Sequence, residues 1–426
     1  MEQLLCPLFK KESHVPCVIT DEAVFSYAQV NALVHNLSMH LKSLGVAAEK
    51  RVVFKACLDF KTILLFFALF RLGAVACPLS TRLSQEQNLV CLNRLRPALV
   101  INPETLPLSF MESFPIEPLI QRETLATFLF TSGSSGIPKI ACQSFYNHYM
   151  SALGAVSALQ LDSNSRYLLA LPLFHVGGLA PLFRCFLQGA TVVLSSQLLA
   201  QAIIHHRISH LSLVPTQLYR LVQEPLRNTP LKCVLLGGAP TAPSLFERGR
   251  QLGLPLYTTY GMTEMSSMIT LDKLLPFREL KIKEGEIFVR GAPLFQGYWD
   301  TASQQVIDAR EQGWFATRDL GRFNEKGELE MMGRKDRQFI SGGENIQPEE
   351  IEQALLQIPG IVRTLVLPID DEEFGARPHA FIEDTTEMHT LNSIKAALQD
   401  KLPSFKHPVR LSSFSADAKT QTLIRK

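Results

Sequence analysis

Apolar positions recur three and four residues apart at Val30, Leu33, Val34, Leu37, Leu41 and Leu44, so residues 27–44 carry one continuous apolar face and are predicted to form a helix. Ser26 stands where an N-cap belongs, and Gly45 where the chain must leave the helix. Residues 51–56, 98–101, 166–171, 191–194, 210–214 and 232–236 are short apolar runs bounded by turn residues, the pattern of buried strands. Helical stretches such as residues 216–222 lie between several of them. The most hydrophobic segment, residues 62–79, carries Arg71 and ends in Cys77, Pro78 and Leu79. A buried helix running into a buried strand fits that pattern, and a membrane span does not. The alternation predicts an α/β body of stacked sheets and helices, without repeats.

A chain of 426 residues is too long for one compact core, so a large body with a smaller domain is expected. The pattern changes after Gly333 and Arg334. Beyond them residues 348–357 read as a helix with Pro348 in its first turn, residues 362–368 as a strand and residues 391–402 as a second helix. The predicted division is a multi-sheet α/β N-terminal body over residues 1–335 and a small α+β C-terminal domain over residues 336–426, joined by a polar linker at Lys335 and Asp336.

Charge and cysteine usage narrow the function. With 42 basic and 40 acidic residues the net charge is +2 and no basic stripe appears, so nucleic-acid binding has no electrostatic support. The eight cysteines are scattered, with no C-x-x-C pair and no zinc spacing. They read as reduced, mostly buried thiols of a cytoplasmic protein. Residues 1–11 lack the order of a secretory signal, their lysines following the apolar part.

The chemistry starts at residues 128–139, an apolar strand that breaks into Thr131, Ser132, Gly133, Ser134, Ser135 and Gly136 and closes on Lys139. Glycines without side chains let backbone N–H groups reach phosphate oxygens, hydroxyls add short donors, and the lysine adds a movable charge. Ile137 and Pro138 separate Gly136 from Lys139, so this is not a Walker A loop. Taken alone the loop is also compatible with a flexible Ser/Gly turn. Three further blocks follow: Tyr260, Gly261, Met262, Thr263, Glu264 within one predicted turn; Thr317, Arg318, Asp319; and Gly333, Arg334, Lys335, Asp336, leading to Ser341, Gly342, Gly343, Glu344.

These four blocks in this order resemble the adenylate-forming superfamily of acyl-CoA synthetases, luciferases and adenylation domains, from about residue 25 to about residue 408. The resemblance implies ATP and Mg²⁺, with Glu264 holding the metal and Thr263 touching phosphate. Tyr260 offers a flat face for adenine, and Gly237, Gly238 and Ala239 offer backbone for the ring edge. Asp319 suits ribose hydroxyls, with Arg334 on the same sugar, although each alone reads equally as a surface ion pair. Residues 171–178 resemble the segment whose histidine, here His175, lines the acyl tunnel; a lone His among apolar residues is otherwise a core residue. Gly342, Gly343 and Glu344 resemble the loop that enters the site for the thioester step. The resemblance also implies that the small domain is mobile and rotates about a hinge at Asp336.

Residues 210–218, 231–239, 341–350 and 374–378 most resemble the branch of ligases that joins CoA to o-succinylbenzoate in menaquinone synthesis. Arg184 is an independent clue, a lone charge among Pro181, Leu182, Phe183, Cys185, Phe186 and Leu187. A buried arginine without an anion is costly, and an aryl dicarboxylic acid would keep one carboxylate free to pair with it. The alternative is an arginine whose head reaches solvent. Ser212 is a second pocket residue implied by the resemblance. One departure stands at the end, where the superfamily has a lysine that bridges carboxylate and α-phosphate. Here Leu423 and Ile424 fall where Gly and Lys belong, and Lys426 is the nearest downstream lysine.

The expected activity is an ATP-dependent acid–CoA ligase: acid and ATP give acyl-adenylate and pyrophosphate, then CoA displaces AMP. A ligase for another acid, a carrier-loading adenylation enzyme, and a non-catalytic nucleotide-binding relative are the alternatives. Homo-oligomerisation is left open.

Overall fold

The computed structural model describes residues 3–5, 14–108, 119–121, 123–131, 138–226, 228–239 and 241–414. Two large sheets form the body. In the nine-stranded sheet, Arg166–Leu168, Thr191–Val193, His210–Leu213, Cys233–Leu236 and Leu256–Met262 run parallel. In the seven-stranded sheet, Arg51–Lys55, Val75–Leu79, Leu99–Ile101 and Leu125–Thr131 run parallel. Lys139–Ser144 then returns antiparallel to Leu125–Thr131, with Thr131 opposite Lys139.

Four helices fill the space between the sheets: Tyr27–Ser43, Phe60–Arg71, Phe145–Val156 and Val176–Gln188. Their apolar residues share one core with Val52, Phe54 and Ala76 of one sheet and Tyr167, Val192 and Cys233 of the other. Phe67, Phe70, Phe145 and Phe183 pack edge to face or tilted at its centre, with Phe145 and Phe183 centroids 5.5 Å apart. Each such fully buried ring contributes about 1.5–3 kcal/mol.

The first helix obeys its sequence signals. Ser26 and Gln29 form a capping box, and Gly45 takes φ +85° just beyond the C-cap. Residues 62–79 divide into the helix Phe60–Arg71 and the strand Val75–Leu79, with Arg71 in the last helical turn. No helix among the described residues is long and apolar enough to cross a membrane. Several strands stop short of their apolar runs. Arg166–Leu168 ends before Leu171, although Leu169 N–H still donates to Val193 O at 3.0 Å.

A four-stranded antiparallel sheet, Arg278–Lys283, Glu286–Gly291, Phe315–Phe323 and Leu329–Arg334, completes the body. Beyond it come a hairpin of Phe339–Ser341 and Glu344–Ile346, the helix Pro348–Leu356, and a three-stranded sheet of Ile361–Asp371, Gly375–Asp384 and Arg410–Ser413 with the helix Leu391–Leu398. An apolar cluster runs from Leu213, Leu218 and Leu256 into Ile346, Ile351 and Leu355, so the two parts abut in this pose.

Candidate active site

The parallel strands of the nine-stranded sheet deliver the predicted residues to one edge, because each strand's carboxyl end opens into a loop there. Ser212 lies near the end of His210–Leu213, Gly237 to Ala239 follow Cys233–Leu236, and Tyr260 and Gly261 close Leu256–Met262. Gly238 takes φ +83°, a backbone that favours glycine, and Gly238 and Ala239 are exposed.

Residues 260–264 do not form the predicted single turn. The strand runs on through Met262, and Thr263–Met265 is a 3-10 helix. Continued pairing of Tyr260 with Thr270 and of Met262 with Ser267 extends the strand past the glycine. Glu264 is therefore buried, not a solvated turn residue. The Tyr298 hydroxyl donates to Glu264 Oε1 at 2.6 Å, and Phe295 N–H donates to the Glu264 carbonyl at 2.7 Å. Burial raises the carboxyl's pKa, and the Tyr298 hydrogen bond opposes the rise. Lys139 Nζ lies 4.8 Å from the centroid of the same Tyr298 ring, so the far end of the glycine loop reaches the Glu264 side of the site.

Asp319 holds the adjoining corner. Its Oδ2 accepts from Tyr260 at 2.7 Å and its Oδ1 from Arg334 Nη1 at 2.8 Å. Asp319 is buried, which excludes a plain surface ion pair. Arg334 also grips Asp336, through Nε at 3.1 Å and Nη2 at 2.8 Å. Burial, then the Asp319 charge, pushes the Tyr260 phenol well above its usual range, so it stays a donor.

Arg184 sits in the helix Val176–Gln188 and is only 1% exposed, so the reading in which its head reaches solvent fails. Its Nη2 donates to Ser267 Oγ at 3.0 Å, and its Nε makes no hydrogen bond among the described residues. No carboxylate pairs with it among those residues. Ser266 and Ser267 both have positive φ, +52° and +116°. That strain is held by Ser151 Oγ donating to Ser266 O at 2.8 Å and Ser266 Oγ donating to Pro293 O at 3.0 Å. Ser212 Oγ lies 2.5 Å from the Tyr167 hydroxyl. Burial pushes that phenol up to about 12, and the Arg184 charge pulls the other way. The Arg184 charge thus acts on the buried pair of Tyr167 and Ser212 hydroxyls.

His175 is exposed at the N-cap of the Arg184 helix, with its ring 4.5 Å from that of Phe174, so it is not a core histidine. Gly342 and Gly343 form the tip of the 339–346 hairpin with φ +57° and +85°, and Gly342 N–H donates to Phe374 O at 2.9 Å. A side chain at Gly343 would meet nothing within 4 Å, and Glu344 is exposed. Among the described residues no hydrogen bond or ion pair brings this hairpin to Glu264 or Asp319. Ser132, Gly133, Ser134, Ser135, Gly136 and Lys426 lie outside the described residues.

Tyr298, Ser267 and Arg278 escape a reading of the sequence. Arg278 is buried and donates to Met268 O and Pro276 O, each at 2.7 Å, and to Ser151 O and Oγ at 3.1 Å. Burial, with the Arg184 charge added, lowers its pKa to about 9.

The model of the AMP-binding enzyme family matches residues 9–299, a span that takes in the glycine loop, Arg184 and Glu264. The chain belongs to the AMP-binding enzyme family. This AMP-binding enzyme is 34% identical over 415 residues to the 2-succinylbenzoate–CoA ligase of Escherichia coli, covering 92% of this chain and 89% of that one. It is also similar to the o-succinylbenzoate CoA synthetase of Bacillus subtilis in complex with the acyl-adenylate intermediate OSB-AMP, with TM-score 0.86 and 27% identity over 97% of this chain and 95% of that one. The same synthetase in complex with ATP and magnesium ion matches with TM-score 0.86 and 27% identity over 97% and 96%.

The residues fit a metal that arrives on the nucleotide. No three His, Cys, Asp or Glu side chains stand together as a cage among the described residues. Mg²⁺ is commonly held by one or two carboxylates together with substrate phosphates. Glu264, buried and raised, is a carboxylate that a nearby cation would return to its charged form.

Proposed function

We propose that this AMP-binding enzyme is an acid–CoA ligase that converts o-succinylbenzoate, ATP and CoA to o-succinylbenzoyl-CoA, AMP and pyrophosphate through an acyl-adenylate. The observation that carries the reading is the fully buried Arg184 with no carboxylate partner among the described residues, its charge acting on the buried Tyr167 hydroxyl that meets Ser212. A ligand carboxylate is the natural complement of such a cation. An acid with two carboxylates can give one to the chemistry and leave one for Arg184.

In the first half-reaction a carboxylate oxygen attacks the α-phosphorus and pyrophosphate leaves. Tyr260 and Asp319 would bind adenine and ribose, with Gly237, Gly238 and Ala239 along the ring edge. Thr131, the loop that follows it, and Lys139 would hold the phosphates. Mg²⁺, held through Glu264, would neutralise the charge that gathers on the phosphate oxygens. The Tyr298 hydrogen bond would keep the Glu264 carboxylate aimed. In the second half-reaction CoA sulfur attacks the acyl carbonyl and AMP leaves. Gly342, Gly343 and Glu344 would then border the pantetheine after the small domain turns about Asp336.

The test is pyrophosphate release across a panel of aryl and fatty acids, with and without CoA. The reading requires release with o-succinylbenzoate and CoA-ester formation only when CoA is added. Release with fatty acids but not with this acid would overturn the substrate assignment.

A further inference from the structure

Between the helix that carries Arg184 and the 3-10 helix Thr263–Met265 runs a buried polar chain with no role in the scheme above. Gln143 and Thr127 are completely buried and His148 is 2% exposed. Gln143 Nε2 donates to the Thr263 carbonyl at 2.9 Å. That fixes the amide with its oxygen toward Thr127, whose hydroxyl donates to Gln143 Oε1 at 2.9 Å. A hydroxyl has one proton, so the 2.7 Å contact between Thr127 Oγ1 and His148 Nε2 must have the histidine as donor. Nε2 therefore carries a proton, and burial, with no partner for Nδ1 among the described residues, keeps the ring in its neutral Nε2–H form. Its ring lies flat on Phe183, with centroids 4.8 Å apart and planes 17° apart. Phe183 is the residue before Arg184.

Polar groups in a dry core cost stability unless hydrogen-bonded, and an apolar trio would fill this space without that demand. All three donors point one way, and the chain ends on a single acceptor, the Thr263 carbonyl, which also receives Ser266 N–H at 3.0 Å. A carbonyl held from two sides fixes the peptide plane it belongs to, and that plane leads into Glu264.

We propose that Gln143, Thr127 and His148 are positioning residues that set the Thr263–Glu264 peptide plane for adenylation and, through Phe183, couple it to the helix that carries Arg184. The proposal rests on the reading of Glu264 given under the proposed function. Gln143→Met and Thr127→Val break the chain at nearly constant volume, whereas Thr127→Ser keeps the hydroxyl. The two breaking variants should weaken MgATP binding, measured by calorimetry without acid, by about tenfold, the loss expected for one buried hydrogen bond. They should slow pyrophosphate release by at least that factor while thioester formation from supplied acyl-adenylate stays within about twofold, and Thr127→Ser should behave as wild type. Unchanged MgATP affinity, or an equal loss in both half-reactions, would overturn the proposal. Glu264→Gln measured in parallel separates the two ideas: if it binds and turns over normally, the reading of Glu264 is what fails. Should the breaking variants not fold, the ¹⁵N spectrum of His148 in the wild-type protein decides. The proposal requires a neutral Nε2–H ring that shifts on addition of MgATP, and an Nδ1–H ring or an unmoved signal overturns it.

Discussion

Glu264 sits where stability and chemistry pull in opposite directions. Burial raises its pKa above 4.5, so in the free protein its contribution to stability is full below that value and is lost as pH rises through the folded value, where a charge must be kept in a dry place. Glu264→Gln should therefore leave the unliganded protein at least as stable as wild type near neutral pH, with any gain vanishing toward about pH 4, as read by thermal unfolding. Pyrophosphate release in the same variant should fall by about 10²- to 10³-fold, the usual loss for an electrostatic group of this kind. Arg184 presents the opposite case, a buried cation with one hydrogen bond to Ser267. Arg184→Met should raise KM for the dicarboxylic acid about tenfold to over a hundredfold, the worth of a charge-assisted pair at roughly 1.5–3 kcal/mol. An analogue lacking the second carboxylate should lose little. Equal losses for both acids would make Arg184 a structural residue.

Among the elements, the strand Leu256–Met262 carries Tyr260 and leads into Glu264, and its one glycine sets how close it lies to its neighbour. A side chain at Gly261 would stand 2.8 Å from the carbonyl carbon of Ser267, so the backbone itself would have to move. Gly261→Ala should cost about 1–3 kcal/mol of stability, measured by denaturant midpoint. Adenylation should suffer more than thioester formation from supplied adenylate, because the displaced strands hold Tyr260 and Ser267. The helix Tyr27–Ser43 and most buried strands were legible in the sequence because their apolar period and caps are local. Arg184 was legible for the same reason, a charge within an apolar helix face. The run of strand through Met262 was not, since Gly261 reads locally as a break, and only pairing with Ser267–Leu271 carries the strand past it. Tyr298, Ser267 and Arg278 were not legible either. Their partners are Glu264, Arg184 and Ser151, brought to them by sheet register and not by spacing along the chain.

For the whole molecule, the ion pairs around residue 336 divide between the two parts. Arg334 and Lys335 face the body, through Asp319 at 2.8 Å and Glu286 at 2.6 Å. Arg337 faces the small domain, through Glu349 at 2.8 Å, Glu352 at 2.6 Å and Val366 O at 3.1 Å. A rotation that spares both sets must turn at Asp336, within the 3-10 helix Lys335–Arg337. Hydrogen bonds that cross that point include Arg334 to Asp336 and Gln347 Nε2 to Arg334 O at 2.9 Å, and a domain motion would break them and part the apolar contact between the two parts. We therefore expect Asp336→Pro, which fixes φ near −65° and removes an N–H, to hold the enzyme near one pose. One half-reaction should survive while turnover from acid, ATP and CoA to the CoA ester falls by about tenfold or more. Asp336→Ala, which removes the carboxylate but leaves φ free and keeps the backbone N–H, should stay much nearer wild type in both steps than Asp336→Pro. The measurement is pyrophosphate release, thioester formation from supplied acyl-adenylate, and the complete reaction, each on the two variants. If Asp336→Pro runs all three at the wild-type rate, the pivot is elsewhere or the two parts do not move.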